Sequence, residues 1–343
     1  MSTTLDIRPY EERDDAEALE LERCLAKGGG FRLSLRRSRF ARRAENFDEH
    51  EILVARHQGR LVGTIAVAFK DMLVHGRPVR GATTFDLRVH PELHRQGVGA
   101  QLSAAAADLV RGRADLGYSY VLDDQAAVAE LAGRVGQPQP GGYQVLVAPT
   151  SVEGEVGVTV RPVDLSTVHE SNLACRPPYD LYTDPRVGGR LDGHVGSWLV
   201  EEDDEVAGYS AWDNREIMAE VVEHLPAGFS ALARFASWGP VAHLHLPHLP
   251  QPGEQLRTWT LFDVHATGPA IARAMLFQVL EEARQAGIDY CYFLLSLGDP
   301  LLDTLKAELP ALFSPVNHYR LYASQGEHPV QGLRRVYVDI RDV

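Results

Sequence analysis

The sequence predicts a mixed α/β (α+β) fold built from two tandem copies of one domain, the second copy degenerate. Three observations predict it. The chain has 343 residues, longer than most single hydrophobic cores sustain. Strand-like runs alternate with helix-like ones, with a β-α-β unit following a set of strands. The order of elements repeats once, as a duplicated domain would rather than a solenoid.

In the first half, "TLDIRPY" reads as a strand and "ERDDAEALELERCLAK" as a helix that ends at Gly28, Gly29 and Gly30, residues that suit a helix C-terminus. "FRLSLRRSRFARRAENF" is a second helix candidate. "EILVARHQGRLVGTIAVAF" is a hairpin turning at Gln58-Gly59. "ATTFDLRV" is a strand, "GAQLSAAAADLVRGRAD" a helix, "YSYVLDD" a strand and "QAAVAELAGRVG" a short helix, and "YQVLVAP" closes the set. The polar stretch "TSVEGEVG" then separates a domain over residues 1–150, through a linker at 151–157, from a second over 158–343. After it the pattern begins again. "DIRPY" is echoed by "TVRPV", "RLVGTIAVA" by "EVAGYSAWD", "FDLRVH" by "LFDVHA", and the helix before "DLGYSYV" by the one before "QAGIDYCYF".

Composition narrows the function. The net charge of −13 disfavours nucleic acid as a partner, because phosphate neutralisation normally requires a basic surface. Cys24, Cys175 and Cys291 are far apart and odd in number, which is neither a disulfide framework nor a zinc spacing. With no signal-peptide pattern at the start and no apolar run of spanning length, a cytoplasmic chain without a membrane partner is expected.

The feature that carries chemistry is "RVHPELHRQGVGAQL", a basic, glycine-bearing turn between a strand and a helix. A helix N-terminus presents amides without partners and the positive end of the macrodipole. Gly97 and Gly99 leave room for a phosphate to approach, Arg95 adds a fixed charge, and His94 and Gln96 can donate hydrogen bonds. The spacing is neither the dinucleotide fingerprint nor a P-loop. In the second half the matching "HATGPA" has no G-x-G and no basic residue before the helix, so the intact site belongs to the first copy.

"VHPELHRQGVGAQL" resembles the acyl-CoA pyrophosphate loop of the GCN5-related N-acetyltransferase (GNAT) superfamily, in which a strand and a proline precede Arg/Gln-x-x-Gly-x-Gly/Ala at the start of the central helix. Across residues 52–150, "FDLRVHPELHRQGVGAQL", "GYSYVLDDQAAVAEL" and "YQVLVAPTS" are similar to the hookless-type N-acetyltransferases of plants and their bacterial relatives, also tandem proteins with a degenerate second half. The resemblance implies a mostly antiparallel sheet in each copy and acetyl-CoA as co-substrate, held by Leu87, Arg88, Val89, His94, Arg95, Gln96, Gly97, Val98, Gly99, Ala100 and Gln125. It further implies that pantetheine pairs with the strand edge at Leu87 to Val89. Three positions depart from the pattern: His94 replaces the usual Arg or Gln, Gln125 replaces a frequent Asn, and Ala132 stands where the family often has a tyrosine acid.

Acyl transfer to an amine requires a neutral amine, a polarised carbonyl and a proton for the leaving thiolate. Asp86 in the fourth strand is the first candidate base and His90 the second; Tyr120, with Tyr118 and Tyr143, can supply the missing acid. The expected activity is acyl-CoA-dependent N-acetyl transfer to a primary amine from the first domain. The alternative, kept open by Ala132, is a non-catalytic acyl-CoA-binding regulatory or scaffold protein. The second domain would shape the acceptor cleft, cover a sheet edge or support a homo-oligomer. On the helix expected over 31–47, Arg32, Arg36, Arg39 and Arg43 share a basic face, either solvated and paired with nearby carboxylates or turned to an anionic acceptor or the nucleotide 3′-phosphate. His243, His245 and His248 in "HLHLPHLPQP" have no acidic or cysteine partner nearby in sequence, and no metal is expected.

Overall fold

The computed structural model describes residues 5–25, 32–155, 158–225, 248–324, 330 and 332–343. In chain order the first half holds β1 (Asp6–Pro9), α1 (Asp15–Cys24), β2 (Arg32–Arg36), β3 (Glu49–His57), β4 (Arg60–Val74), β5 (Arg77–Val89), α2 (Val98–Arg113), β6 (Leu116–Leu122), α3 (Ala126–Val135) and β7 (Gln137–Pro149). The second half holds β8 (Thr159–Val163), α4 (Leu165–Ala174), β9 (Leu181–Tyr182), β10 (His194–Glu202), β11 (Glu205–Trp212), β12 (Ala219–His224), β13 (Thr258–Ala266), α5 (Pro269–Gln285), β14 (Tyr290–Ser296), α6 (Leu301–Ala307) and β15 (Val316–Ser324).

The hairpin at Gln58-Gly59 forms as its residues dictate. Both are left-handed, with φ of 52° and 80°, the geometry a two-residue turn needs to match the twist of its strands. His75-Gly76 makes a second such corner between β4 and β5. The acidic run at 201–205 turns β10 into β11 at Asp203-Asp204.

The helix expected over 31–47 is not formed over the described residues 32–47. Arg32-Leu33-Ser34-Leu35-Arg36 alternates with period two, and β2 uses it to pair with β12, Leu35 opposite Glu220 and Leu33 opposite Val222. Two 3-10 turns follow, at Phe40–Arg42 and Ala44–Asn46. The basic face is therefore dispersed. Arg36 pairs with Glu223, Arg39 with Glu45, Arg42 with Asp192, and Arg43 reaches Asp86. Pairing with a distant strand outweighs a weak helical period.

Twelve strands run in the order β1-β3-β4-β5-β6-β15-β7-β14-β13-β11-β10-β8, with β9 beside β4. Among the described pairs only β5/β6 and β13/β14 are parallel. The last strand of each half lies against the other half: β15 sits between β6 and β7, and β7 pairs with β14 from Tyr143 to Pro149. The core follows this crossing, since Leu146 and Ala148 of β7 pack with α5 and β14, while Leu321 and Ala323 of β15 pack with Leu116 and Tyr118. Within residues 151–155 the chain meets α5, where a Cβ at Gly154 would fall on the Phe277 ring. Among the described residues no helix is long and apolar enough to cross a membrane.

Candidate functional site

The site begins with one extra residue in β5. Thr64 faces Arg88 and Ala66 faces Phe85, so Asp86 and Leu87 together oppose Ile65. This β-bulge puts Asp86 in the left-handed region at φ 51°. β5 pairs with β6 only from Gly81 to Thr83; beyond that the two strands part. The opening is a cleft of about 890 Å³, lined on one side by Phe85 to Arg88 and on the other by Tyr120, Tyr143 and Tyr319. The His90 amide donates to Val62 O across β4. Along a strand successive amides alternate, so the Val89 N–H points the other way, towards the side from which β6 has parted.

At the end of β5 the chain makes a short 3-10 turn over Pro91–Leu93 and reaches α2 through His94, Arg95, Gln96 and Gly97. Arg95 (φ 62°) and Gly97 (φ 86°) are both left-handed. The two glycines do different work. At Gly97 a Cβ would meet nothing closer than Gln101 Nε2, 3.9 Å away, so the backbone is open to a ligand. At Gly99 a Cβ would press on Leu131 Cδ1 at 3.1 Å and Val89 Cγ2 at 3.5 Å, so this glycine lets α2 pack against α3 and β5. The amides of Val98, Gly99 and Ala100 form the first turn of α2 and have no acceptor within the helix. Arg95 is exposed and makes no ion pair among the described residues, leaving its charge available beside that turn. His94 and Gln96 are less free: His94 Nε2 lies 2.9 Å from Val89 O, and Gln96 donates to Glu92 O at 2.9 Å. Gln125 precedes α3 and lines the cleft, its amide bonded to Leu122 O.

The two candidate bases are each held by neighbouring groups. Asp86 is buried and accepts from Arg37 Nη1 (2.8 Å), Arg43 Nη1 (3.2 Å) and Arg88 Nη2 (3.4 Å). Burial alone would raise its pKa, but the three guanidiniums outweigh that and hold it well below the usual carboxylate range. Such a carboxylate is a poor proton acceptor. It locks the bulge, and Arg37 extends the lock to Glu22 of α1. His90 is also buried; its Nε2 lies 2.8 Å from Arg60 Nη2 and its Nδ1 faces the Glu92 amide at 3.4 Å. The ring organises the turn and does not line the cleft.

Tyr120 does line it. Its ring meets Tyr118 and Tyr143 edge-on at 5.8 and 4.9 Å, and Tyr143 stacks on Tyr319 at 4.4 Å. Burial, with the nearby Asp342 adding to it, pushes the Tyr118 and Tyr120 hydroxyls well above their ordinary pKa; burial does the same to Tyr143, where Tyr319 adds. All three stay protonated. Tyr118 donates a hydrogen bond to Asp342 Oδ2 at 2.8 Å; Tyr120 and Tyr143 have no hydroxyl acceptor among the described residues. Ala132, on α3, lines the cleft nearby.

Other wall residues have no signature in the sequence. Asp342 is brought by the C-terminal segment, which crosses beside β9 and anchors on Lys70 of β4 through Asp339 and Asp342. Glu220 of β12 and Tyr292 of β14 come from the second half. Only the β2–β12 pairing and the crossed strands bring them here, so nothing local announces them.

The second half repeats the bulge. Asp263 is again left-handed at φ 51°, with Tyr209 opposite Asp263 and Val264. Here the carboxylate is bound by His169 Nδ1 (3.0 Å), Asn172 Nδ2 (2.9 Å) and Tyr337 OH (3.0 Å). At the start of α5 the Glu205 carboxylate lies where a Cβ of Gly268 would be. An acidic group holds the place an anion would take in the first half. No metal-binding group of three His, Cys, Asp or Glu occurs among the described residues. His243 and His245 lie outside them, and the His248 ring is 3.5 Å from Glu254.

Residues 18–136 match the model of the acetyltransferase (GNAT) family. Among solved structures, Saccharomyces cerevisiae N-myristoyltransferase with bound myristoyl-CoA and inhibitors superposes at TM-score 0.56 and 12% identity, covering 99% of this chain and 87% of that one. A GCN5-related glucosamine N-acetyltransferase region of a fungal multi-domain GH3 beta-N-acetylglucosaminidase gives 0.55 and 15%, over 94% and 38%. A GCN5-related N-acetyltransferase from Anabaena variabilis gives 0.48 and 14%, over 93% and 72%. At these identities the likeness is one of fold. No curated relative matches the sequence.

Proposed function

We infer that this chain, whose residues 18–136 match the acetyltransferase (GNAT) family model, is an acyl-CoA-dependent N-acyltransferase of that superfamily that moves an acetyl group to a primary amine in the first half of the molecule. The observation that carries the reading is the juxtaposition of two features. Unpartnered amides at the start of α2, beside the free Arg95 charge, adjoin a strand edge that has parted from its neighbour. The helix start suits a pyrophosphate. The strand edge at Leu87 to Val89 suits pantetheine, whose amides extend the sheet as an added strand would.

In the reaction the neutral amine nitrogen attacks the thioester carbon while the Val89 N–H polarises the carbonyl oxygen. The C–S bond then breaks, the nitrogen loses a proton and the thiolate of CoA gains one. Tyr120, protonated and facing the cleft, is the candidate donor to that thiolate. Asp86 and His90 act as positioning residues that hold the bulge and the loop.

The tandem reading belongs to the same proposal, together with the relationship to hookless-type enzymes and a cytoplasmic setting: residues 1–150 carry the site, 151–157 link, and 158–343 form a degenerate copy that walls the cleft. The repeated bulge and the acid-filled start of α5 support it. Thioester cleavage with acetyl-CoA and an amine panel tests the activity. Acyl donors up to myristoyl-CoA, the ligand in the yeast structure, test chain length, with acetyl-CoA expected to be preferred. Tight acetyl-CoA binding without turnover of any amine would favour the non-catalytic alternative, which Ala132 keeps in view.

A further inference from the structure

Three carboxylates line the cleft: Asp86, Asp342 and Glu220. Two are neutralised. Asp86 sits among Arg37, Arg43 and Arg88, and Asp342 rests on Lys70 Nζ at 2.8 Å. Glu220 has no cation within ion-pair distance among the described residues. Its Oε2 accepts one hydrogen bond, from Tyr292 OH at 2.8 Å, and its Oε1 accepts none among them.

The cations of the cleft are spoken for. Arg43 and Arg88 serve Asp86, and Arg111 is held by Asp108. Glu220 also stands on an apolar face. Strand alternation and the β2–β12 register put Leu33, Leu35, Met218 and Glu220 on the same side of the two-stranded ribbon, and all four line the cleft. A carboxylate left alone on such a face is costly unless something compensates it. Burial, moderated by Tyr292, pushes its pKa above the ordinary glutamate value, and a bound cation would reverse that shift.

We propose that Glu220 and Tyr292 form the receptor for a positively charged acceptor, so that the acceptor class is an organic ammonium compound whose apolar or aromatic body lies against Tyr319 and the Leu33–Leu35 face. This rests on the acyltransferase reading for what the acceptor is used for, but the cation site stands on its own geometry. It makes the second half of the chain the specificity-determining half, while the first holds the donor.

The test is direct binding, read by calorimetry at neutral pH on the full-length protein without acyl-CoA. The probes are 2-phenylethylamine, protonated at that pH, and its uncharged counterpart 2-phenylethanol. The wild type is expected to bind the amine at least tenfold more tightly, and in Glu220→Gln the preference should fall to near unity with the melting temperature held. Glu220→Asp should keep part of it. Equal binding of the two probes by the wild type, no detectable binding of either, or a preference that survives Glu220→Gln each overturns the proposal. The wild-type comparison decides even if the variant fails to fold. A parallel acetyl-CoA titration separates the two readings: charge preference without acetyl-CoA binding keeps the cation site and removes the acyltransferase.

Discussion

At the scale of single residues, similar side chains are separated by what surrounds them. Gly97 is open and left-handed, so Gly97→Glu strains the backbone by about 1 kcal/mol or more and places a negative charge where a phosphate is expected. Acetyl-CoA affinity should fall at least a hundredfold by titration, with little change in melting temperature. Asp86 gives the opposite signature. Asp86→Asn leaves buried guanidiniums short of their anion, which typically costs about 3–5 kcal/mol, visible in denaturant melts. A general base would in addition remove the acidic limb of the kcat/KM profile; Asp86→Asn should keep that limb in whatever activity remains. His265 supplies a pH dependence. Burial lowers its pKa to about 4, below the ~6.5 of an unfolded histidine. The folded state therefore prefers the neutral ring. That contribution is complete above about pH 6.5 and declines as pH falls from there towards 4, by a total on the order of 3 kcal/mol. His265→Gln should flatten this decline in stability against pH.

Among the elements, backbone approach and pairing decide most. β7 and β15 come so close at Gly142 that a Cβ there would fall on the Tyr319 carbonyl oxygen. Backbone cannot turn aside as a side chain can. Gly142→Ala should therefore lower the melting temperature markedly and disturb the Tyr143–Tyr319 stack that lines the cleft, measurable as weakened acetyl-CoA binding. The elements with strong local signals were legible from the residues: the Gln58-Gly59 turn, the strand through Phe85 and the alanine-rich α2. The segment at 32–47 was not. Its apolar spacing fits a helix and its first five residues fit a strand equally well, and the partner that decides, β12, lies nearly two hundred residues away.

For the whole molecule, the crossing of the last strands makes each half incomplete alone. A fragment of residues 1–150 lacks β15 between β6 and β7, so it leaves two strand edges open beside the cleft. Such a fragment should be poorly soluble or unstable and should not bind acetyl-CoA. Co-expression with residues 151–343 should restore both properties, as read by co-purification and titration. The glycine-bearing turn before α2 was readable because it is local: one strand end, one turn and one helix start within a dozen residues. The far wall of the cleft was not, because Glu220, Tyr292 and Asp342 come from three distant segments.

The sequence by itself determined what depends on neighbours in the chain. The alternation of strands and helices follows from hydrophobic period, the turns from left-handed glycines, and the anion-ready start of α2 from a basic G-x-G before a helix. Only the tertiary structure decided which carboxylate is a buried anion and which is left without a cation. Asp86 was a candidate base until Arg37 and Arg43 of the turn after β2, together with Arg88 of its own strand, were seen to neutralise it, and nothing in the sequence marked Glu220, which the ribbon places at the cleft. Protonation and recognition depend on the field and solvent access at a point in space, and residues brought together from distant parts of the chain set both.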